Sequence, residues 1–190
     1  MELLAEGIAE FRNALSSSQC QEIIAAFEDE PETRPGVVNR PDGTEVVDEQ
    51  LKRSQDFLIR PDSPARWLAI DQVLAAALAK ALGPYTERYH WLKRLPTTFC
   101  GFQIQRTSPG QGFDWHADED TRRRVALIFY LNEGFEGGET EFQAQGLVYE
   151  PRTGSLLMFP PFWTHPHRGR EVTAGVKYIV TSFLLHDHAR

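Results

Sequence analysis

The chain has 190 residues, is 41% hydrophobic, and carries a formal net charge of −7 with a pI near 5.4. That length suits one domain with a real core, and the acidic balance argues against gripping phosphate backbones by bulk charge, so no nucleic-acid partner is expected. No apolar run reaches the roughly 18 residues of a membrane span.

The start, Met1-Glu2-Leu3-Leu4-Ala5-Glu6, lacks the basic region of a signal peptide. Cys20 and Cys100 form no Cys-x-x-Cys pair, so neither a disulfide framework nor a cysteine metal site is expected, and a reducing cytoplasm is the default setting. Residues 10–30 read as a short helix. Ser16, Ser17 and Ser18 offer caps, Gln19 stands in capping-box spacing, and Cys20, Ile23, Ile24 and Phe27 make one apolar stripe. From 31 to 50, prolines and glycines punctuate the chain. Pro41-Asp42-Gly43 signals a turn between Val37-Val38 and Val46-Val47, which fits a loose hairpin or a substrate loop. Lys52 to Ile59 reads as a strand. Ser63-Pro64 opens the clearest helix, with Trp67, Ile70, Leu74, Leu78 and Leu82 on one face, and Gly83-Pro84 is expected to stop it. A second helical piece follows from Tyr85 to about Leu95, with Tyr85, Tyr89 and Trp91 read as core. His90 is read as surface or packing.

After Pro96 the pattern changes to short strands between glycine turns, near Thr98–Arg106, Arg124–Leu131, Glu139–Gln143, Leu147–Tyr149, Ser155–Phe159 and Val176–Leu185. Helices followed by many strands predict an α+β fold, with helices packed on a β-sandwich or barrel. One domain spans 1–190. Residues 1–95 would supply helical support and a substrate loop, and 96–190 the catalytic core.

Chemistry concentrates at His116-Ala117-Asp118. In a strand these two side chains point the same way, and an imidazole with a carboxylate opens a divalent-metal site. A third ligand is available from His165 or His167, beyond the strand Ser155–Phe159. Two histidines and one carboxylate on one face, with other positions open, are the donor set of non-haem Fe(II) oxygenases. A keto acid on such an iron needs a buried cation for its second carboxylate. Lys177 opens the apolar strand Tyr178–Leu185, where an unpaired charge is otherwise costly, although a lysine snorkelling at a strand end would look the same. Tyr130 offers a hydroxyl donor to the same anion. Arg122-Arg123-Arg124 reads as a solvated turn. Trp115 and Trp163 fit pocket walls or ordinary packing equally well.

With these residues in hand, 99–185 resembles the 2-oxoglutarate- and Fe(II)-dependent dioxygenases of the prolyl 4-hydroxylase type. The pieces that match are Ser108-Pro109-Gly110-Gln111, His116-Ala117-Asp118, Tyr130-Leu131-Asn132, Gly137-Gly138-Glu139-Thr140, Leu156-Leu157-Met158-Phe159, and His167 through Lys177. The family spacing between its last histidine and its Lys or Arg selects His167 as the third ligand, leaving His165 beside the site or facing substrate. The resemblance implies a double-stranded β-helix, or jelly roll, with helices on one face. It implies metal ligands His116, Asp118 and His167, and contacts to 2-oxoglutarate from Lys177, Tyr130 and Thr181. It implies Fe(II), with 2-oxoglutarate and O2 as cosubstrates and ascorbate as a supporting reductant, and hydroxylation of a C–H bond with release of succinate and CO2. Thr107 departs from the tyrosine common in relatives; Gln103 or Gln105 is available to replace it.

Peptidyl proline is the leading substrate, and a free amino acid or metabolite the alternative. Nucleic-acid repair is disfavoured because Phe183 stands where those relatives carry a second arginine. A non-catalytic metal-binding barrel would not need Lys177. A zinc hydrolase would need a general base, and no His-Glu-x-x-His motif supplies one. Composition gives no membrane partner and no oligomeric state.

Overall fold

Strict alternation along the central strands divides the interior into two apolar layers. The structure, a computed structural model, describes residues 1–40, 43–94, 97–118 and 122–186. The residues Pro41 and Asp42 of the expected turn, the Leu95-Pro96 junction and His188 lie outside the described residues. In chain order the elements are β1 (Glu2–Ala5), β2 (Ile8–Phe11), α1 (Ser17–Glu28), β3 (Arg34–Pro35), β4 (Val38–Asn39), β5 (Glu45–Val46), β6 (Gln55–Leu58), α2 (Ala65–Arg88) and a 3-10 helix at His90–Arg94. There follow β7 (Thr97–Phe99), β8 (Gln103–Thr107), β9 (Phe113–His116), β10 (Arg123–Tyr130), β11 (Glu136–Gly137), β12 (Thr140–Phe142), β13 (Leu147–Tyr149), β14 (Leu156–Phe159), β15 (His167–Gly169), β16 (Val172–Ala174) and β17 (Lys177–His186).

A nine-stranded sheet runs in the order β1-β2-β14-β10-β17-β8-β6-β3, with β7 also on β17, and a four-stranded sheet runs β13-β12-β15-β9. On β10, Val125, Leu127 and Phe129 join Cys20, Ile23 and Phe27 of α1 and Trp67, Leu74 and Leu78 of α2. Their neighbours Ala126, Ile128 and Tyr130 join Phe142 and Tyr149 of the smaller sheet. Period-two alternation on a strand buried on both faces gives this result. Each fully buried Leu, Ile or Phe contributes about 1.5–3 kcal/mol to the interface it faces. The outcome is the expected α+β jelly roll, with helices covering the outer face of the larger sheet.

At the N-terminus of α1, Gln19 N donates to Ser16 Oγ at 3.2 Å and Ser16 N to Gln19 Oε1 at 2.8 Å, the capping box read from sequence. β4 and β5 pair as the expected hairpin. Other expectations fail. β1 and β2 carry no strong signal, yet β2 pairs with β14. α2 has Pro64 at its cap with no side-chain cap bond, and it continues through Gly83-Pro84 to Arg88. Gly83 has no Cβ to clash with the proline ring, and Tyr85, one residue later, is buried and donates its hydroxyl to Gly7 O at 2.8 Å. Tertiary packing therefore outweighs the local break. Trp91 is 64% exposed, not core, and carries Arg94 over its ring. The expected strand Thr98–Arg106 is two strands, interrupted around Gly101, whose φ of 20° leaves the extended region. No helix among the described residues is long and apolar enough to cross a membrane.

Candidate active site

Sheet register assembles the candidate metal-binding cluster. β9 and β15 are antiparallel neighbours, and His116 stands directly across from His167. β9 ends at His116, so Asp118 reaches the cluster from the segment beyond the strand; the expectation that alternation within one strand aligns the pair is corrected. His116 Nε2 lies 3.8 Å from Asp118 Oδ1, and His167 Nε2 lies 3.5 Å from Asp118 Oδ2. The two imidazole centroids are 4.3 Å apart.

Each ring is oriented by its other nitrogen. His116 Nδ1 donates to Asp114 O at 2.7 Å, and His167 Nδ1 donates to His165 O at 3.1 Å. A carbonyl only accepts, so the proton belongs on Nδ1 and the Nε2 lone pair faces the cluster. Phe113 stacks on His116 at 3.5 Å, and Phe159 meets His167 edge-on at 4.8 Å. Burial, and then the neighbouring His167, pull the His116 imidazole down to about 4. It is therefore neutral and ready to ligate at ordinary pH. The donor set fits a divalent metal: His116, Asp118 and His167 offer one ligand atom each, all within 4.8 Å of one another, in the two-histidine, one-carboxylate combination that suits Fe(II).

A cleft of about 620 Å³ opens on this cluster. Lys177, Ile179, Thr181 and Phe183, alternate residues of β17, line it, with Gln103, Gln105 and Thr107 of β8 beside them. Lys177 is 5% exposed. Its Nζ donates to Gly138 O at 2.6 Å and lies 5.6 Å from the Tyr130 ring centre. Burial pulls its ammonium down to about 8, against the opposing pull of Glu139. Thr181 Oγ1 accepts from Gln105 Nε2 at 3.1 Å. Tyr130 lies beneath the lining, with its hydroxyl 2.7 Å from Oγ1 of Thr140, which does line the cleft. Burial raises the Tyr130 phenol above its ordinary range. Thr107 pairs with Lys177 across β8 and β17.

The ring of His165 points elsewhere: Nε2 donates to Glu6 O at 3.0 Å, and Nδ1 meets Thr164 Oγ1 at 2.9 Å. Only its carbonyl serves His167. Trp163 is 73% exposed, and Trp115 lies under Arg168 at 4.7 Å. Arg123, expected in a solvated turn, instead lines the cleft, donates to Asp118 O at 3.1 Å and lies 3.8 Å from the Phe183 ring centre. Sequence reading also passed over Lys52, Ser54 and Asp56. Their alternate spacing, with Lys52 and Ser54 just before β6 and Asp56 on it, was the available signal.

Residues 102–185 match the family model described as the 2OG-Fe(II) oxygenase superfamily. A putative prolyl 4-hydroxylase of Acanthamoeba polyphaga mimivirus is 29% identical over 99 residues, which is 40% of this chain and 41% of that protein. The match thus spans about two fifths of that curated relative. In fold, the chain resembles the viral collagen prolyl hydroxylase of Paramecium Bursaria Chlorella virus-1 (TM-score 0.70, 19% identity, 95% of this chain and 97% of that one). It also resembles a Pseudomonas putida prolyl-4-hydroxylase (0.73, 24%, 95% and 93%). A third is a Trichoplax adhaerens prolyl hydroxylase solved with a peptide fragment of hypoxia inducible factor (0.77, 18%, 95% and 84%). By sequence, residues 102–185 thus resemble the 2OG-Fe(II) oxygenase superfamily, and the chain shares its fold with prolyl hydroxylases.

Proposed function

We propose that the chain is a 2-oxoglutarate- and Fe(II)-dependent dioxygenase that hydroxylates an unactivated C–H bond of a prolyl residue in a protein or peptide, releasing succinate and CO2. The observation that carries this reading is one cleft holding both the His116–Asp118–His167 cluster and the buried ammonium of Lys177. Residues 1–95 then act as helical support and substrate loop, and 96–190 as the catalytic core of one domain.

Bound iron would supply the oxidising chemistry with O2. The chain's part is positioning. His116, Asp118 and His167 would hold the metal from one side and leave the rest of its coordination sphere to ligands. Lys177 would receive the distal carboxylate of 2-oxoglutarate, with Thr181 and Tyr130 as hydroxyl contacts; the Tyr130 hydroxyl must turn from Thr140 to make its own. A charge-assisted bond in so dry a place is stronger than its equivalent in water. The apolar walls Ile128 and Ile179 exclude solvent from the cleft floor. Ascorbate is the reductant this chemistry calls for, and the cytoplasm suits both iron(II) and the free thiols Cys20 and Cys100.

The test supplies Fe(II), ascorbate and 2-oxoglutarate with proline-containing peptides, and reads incorporated oxygen by mass spectrometry. The reading expects one oxygen per proline target and matching succinate, both lost in His167→Ala and, at 2-oxoglutarate levels that suffice for the wild type, strongly reduced in Lys177→Ala. Succinate without oxygen on any prolyl peptide would overturn the prolyl assignment.

A further inference from the structure

A second buried ammonium lines the same cleft. Lys52 is 4% exposed, and its Nζ donates to Asp56 Oδ2 at 2.6 Å, with Asp56 itself 1% exposed. Asp56 is held from other sides too: Ser54 Oγ donates to Oδ1 at 2.7 Å, and Gln103 Nε2 to Oδ2 at 3.1 Å. Gln103 Oε1 accepts from Gln105 at 3.3 Å, and Gln105 donates onward to Thr181. A polar chain therefore runs from Lys52 across β6 and β8 to β17. Gly36 closes over the pair, since a Cβ there would stand 2.9 Å from Lys52 Cε. Lys52 Nζ also lies 5.5 Å from the centre of the Phe113 ring, which stacks on His116.

Stability alone does not call for this arrangement, because a buried ion pair is often no better than apolar residues of the same volume. One of the three Nζ donors is used among the described residues, and Lys52 is part of the cleft lining. A fixed ammonium with spare donors in a dry pocket is suited to a carboxylate. The surroundings agree. Arg34, Arg53, Arg60 and Arg123 share the lining, whose carboxylates among the described residues are Glu45 and Asp118, in a chain of net charge −7.

We propose that Lys52 is the substrate-side anion anchor of the cleft. Oriented by Asp56, it receives a carboxylate of the molecule to be oxidised and restricts the substrate class to compounds that carry one. The carboxylate comes either from a free amino acid or from an Asp or Glu side chain beside the target in a peptide. This rests on the oxygenase reading above.

Calorimetric titration of the Mn(II)- and 2-oxoglutarate-loaded chain tests it, with two matched pairs of probes: L-proline against L-prolinamide, and acetyl-Glu-Pro-Glu-amide against acetyl-Gln-Pro-Gln-amide. In the wild type the carboxylate member of one pair binds at least about tenfold tighter than its amide, and the pair that discriminates identifies the source. Lys52→Met removes the discrimination, Lys52→Arg keeps part of it, and both leave 2-oxoglutarate affinity within about twofold of the wild type. The double variant Lys52→Met/Asp56→Asn leaves no lone charge buried and serves where the single variant does not fold. Equal binding, or no binding, of carboxylate and amide members overturns the proposal. So does a loss of 2-oxoglutarate affinity in Lys52→Met, which would assign Lys52 to the cosubstrate. Succinate release by the Fe(II)-loaded wild type separates the two failures: release without discrimination sinks this proposal alone, whereas no release sinks the oxygenase reading and this proposal with it.

Discussion

His165 and His167 sit two residues apart, and the structure gives them opposite tasks. The Nε2 of His167 faces Asp118, while the ring of His165 bonds to Glu6 and Thr164 and only its carbonyl supports its neighbour. Metal binding, read by calorimetry, is expected to vanish in His167→Ala and to persist in His165→Ala, whose main-chain carbonyl remains. The latter variant loses about 1–3 kcal/mol of folding stability from unpaired buried groups. A His165→Ala protein that no longer binds metal would reverse the assignment. Lys177 makes a second prediction at this scale. Its folded value of about 8 lies below the unfolded value of about 10.4. Between those values the unfolded chain binds more protons, so stability without ligand rises with pH across about 8 to 10.4, and the cost of the buried charge is fully present below 8. Thermal melts against Lys177→Met, which lacks the titrating group, would show this difference. An anionic cosubstrate favours the charged form, so 2-oxoglutarate affinity is expected to fall as pH rises through about 8. Lys177→Met weakens it by about 1.5–3 kcal/mol, or roughly 10- to 150-fold in Kd.

Among elements, β14 depends on one glycine at its entry. Gly154 has φ of 78°, donates to Tyr130 O at 2.8 Å and accepts from Leu15 N at 3.0 Å. A Cβ at this position would run into the Leu15 carbonyl. Gly154→Ala therefore forces both a left-handed alanine and a clash, for a loss of about 2 kcal/mol or more. In a domain of this size that lowers Tm by roughly 4–8 °C; an unchanged melt would show that the loop relaxes freely. The same scale shows where local rules lost. Ser16 and Gln19 announced the start of α1 because a capping box is a local interaction. Gly83-Pro84 announced a stop that did not occur, because Tyr85 and Tyr89 are held by Gly7 from the distant β1–β2 turn. β9, β11, β15 and β16 were illegible for a related reason. Each is two to four residues long, and its pairing is set by partners far along the chain.

Across the whole molecule, the strongly patterned parts were legible in sequence: the alternating strands β10, β14 and β17, the helices, and the spacing from His116 to Lys177. The polar residues under the 34–39 segment were not. Lys52 and Asp56 lie in a stretch whose even positions are polar and inward-facing, the reverse of the usual pattern, so it read as an ordinary strand. Arg123 was hidden among three consecutive arginines, and only the fold shows which one reaches Asp118. The fold brings an imidazole pair, a carboxylate and a buried ammonium to one cleft, where they are expected to act together. Succinate formation from 2-oxoglutarate, with Fe(II) and ascorbate supplied and no other substrate, tests this most directly. The account predicts slow release that requires Fe(II), disappears in His116→Ala and His167→Ala, survives in His165→Ala, and in Lys177→Met returns only at much higher 2-oxoglutarate. Release no greater than in a metal-free control, or equal release from the His167→Ala protein, would contradict it.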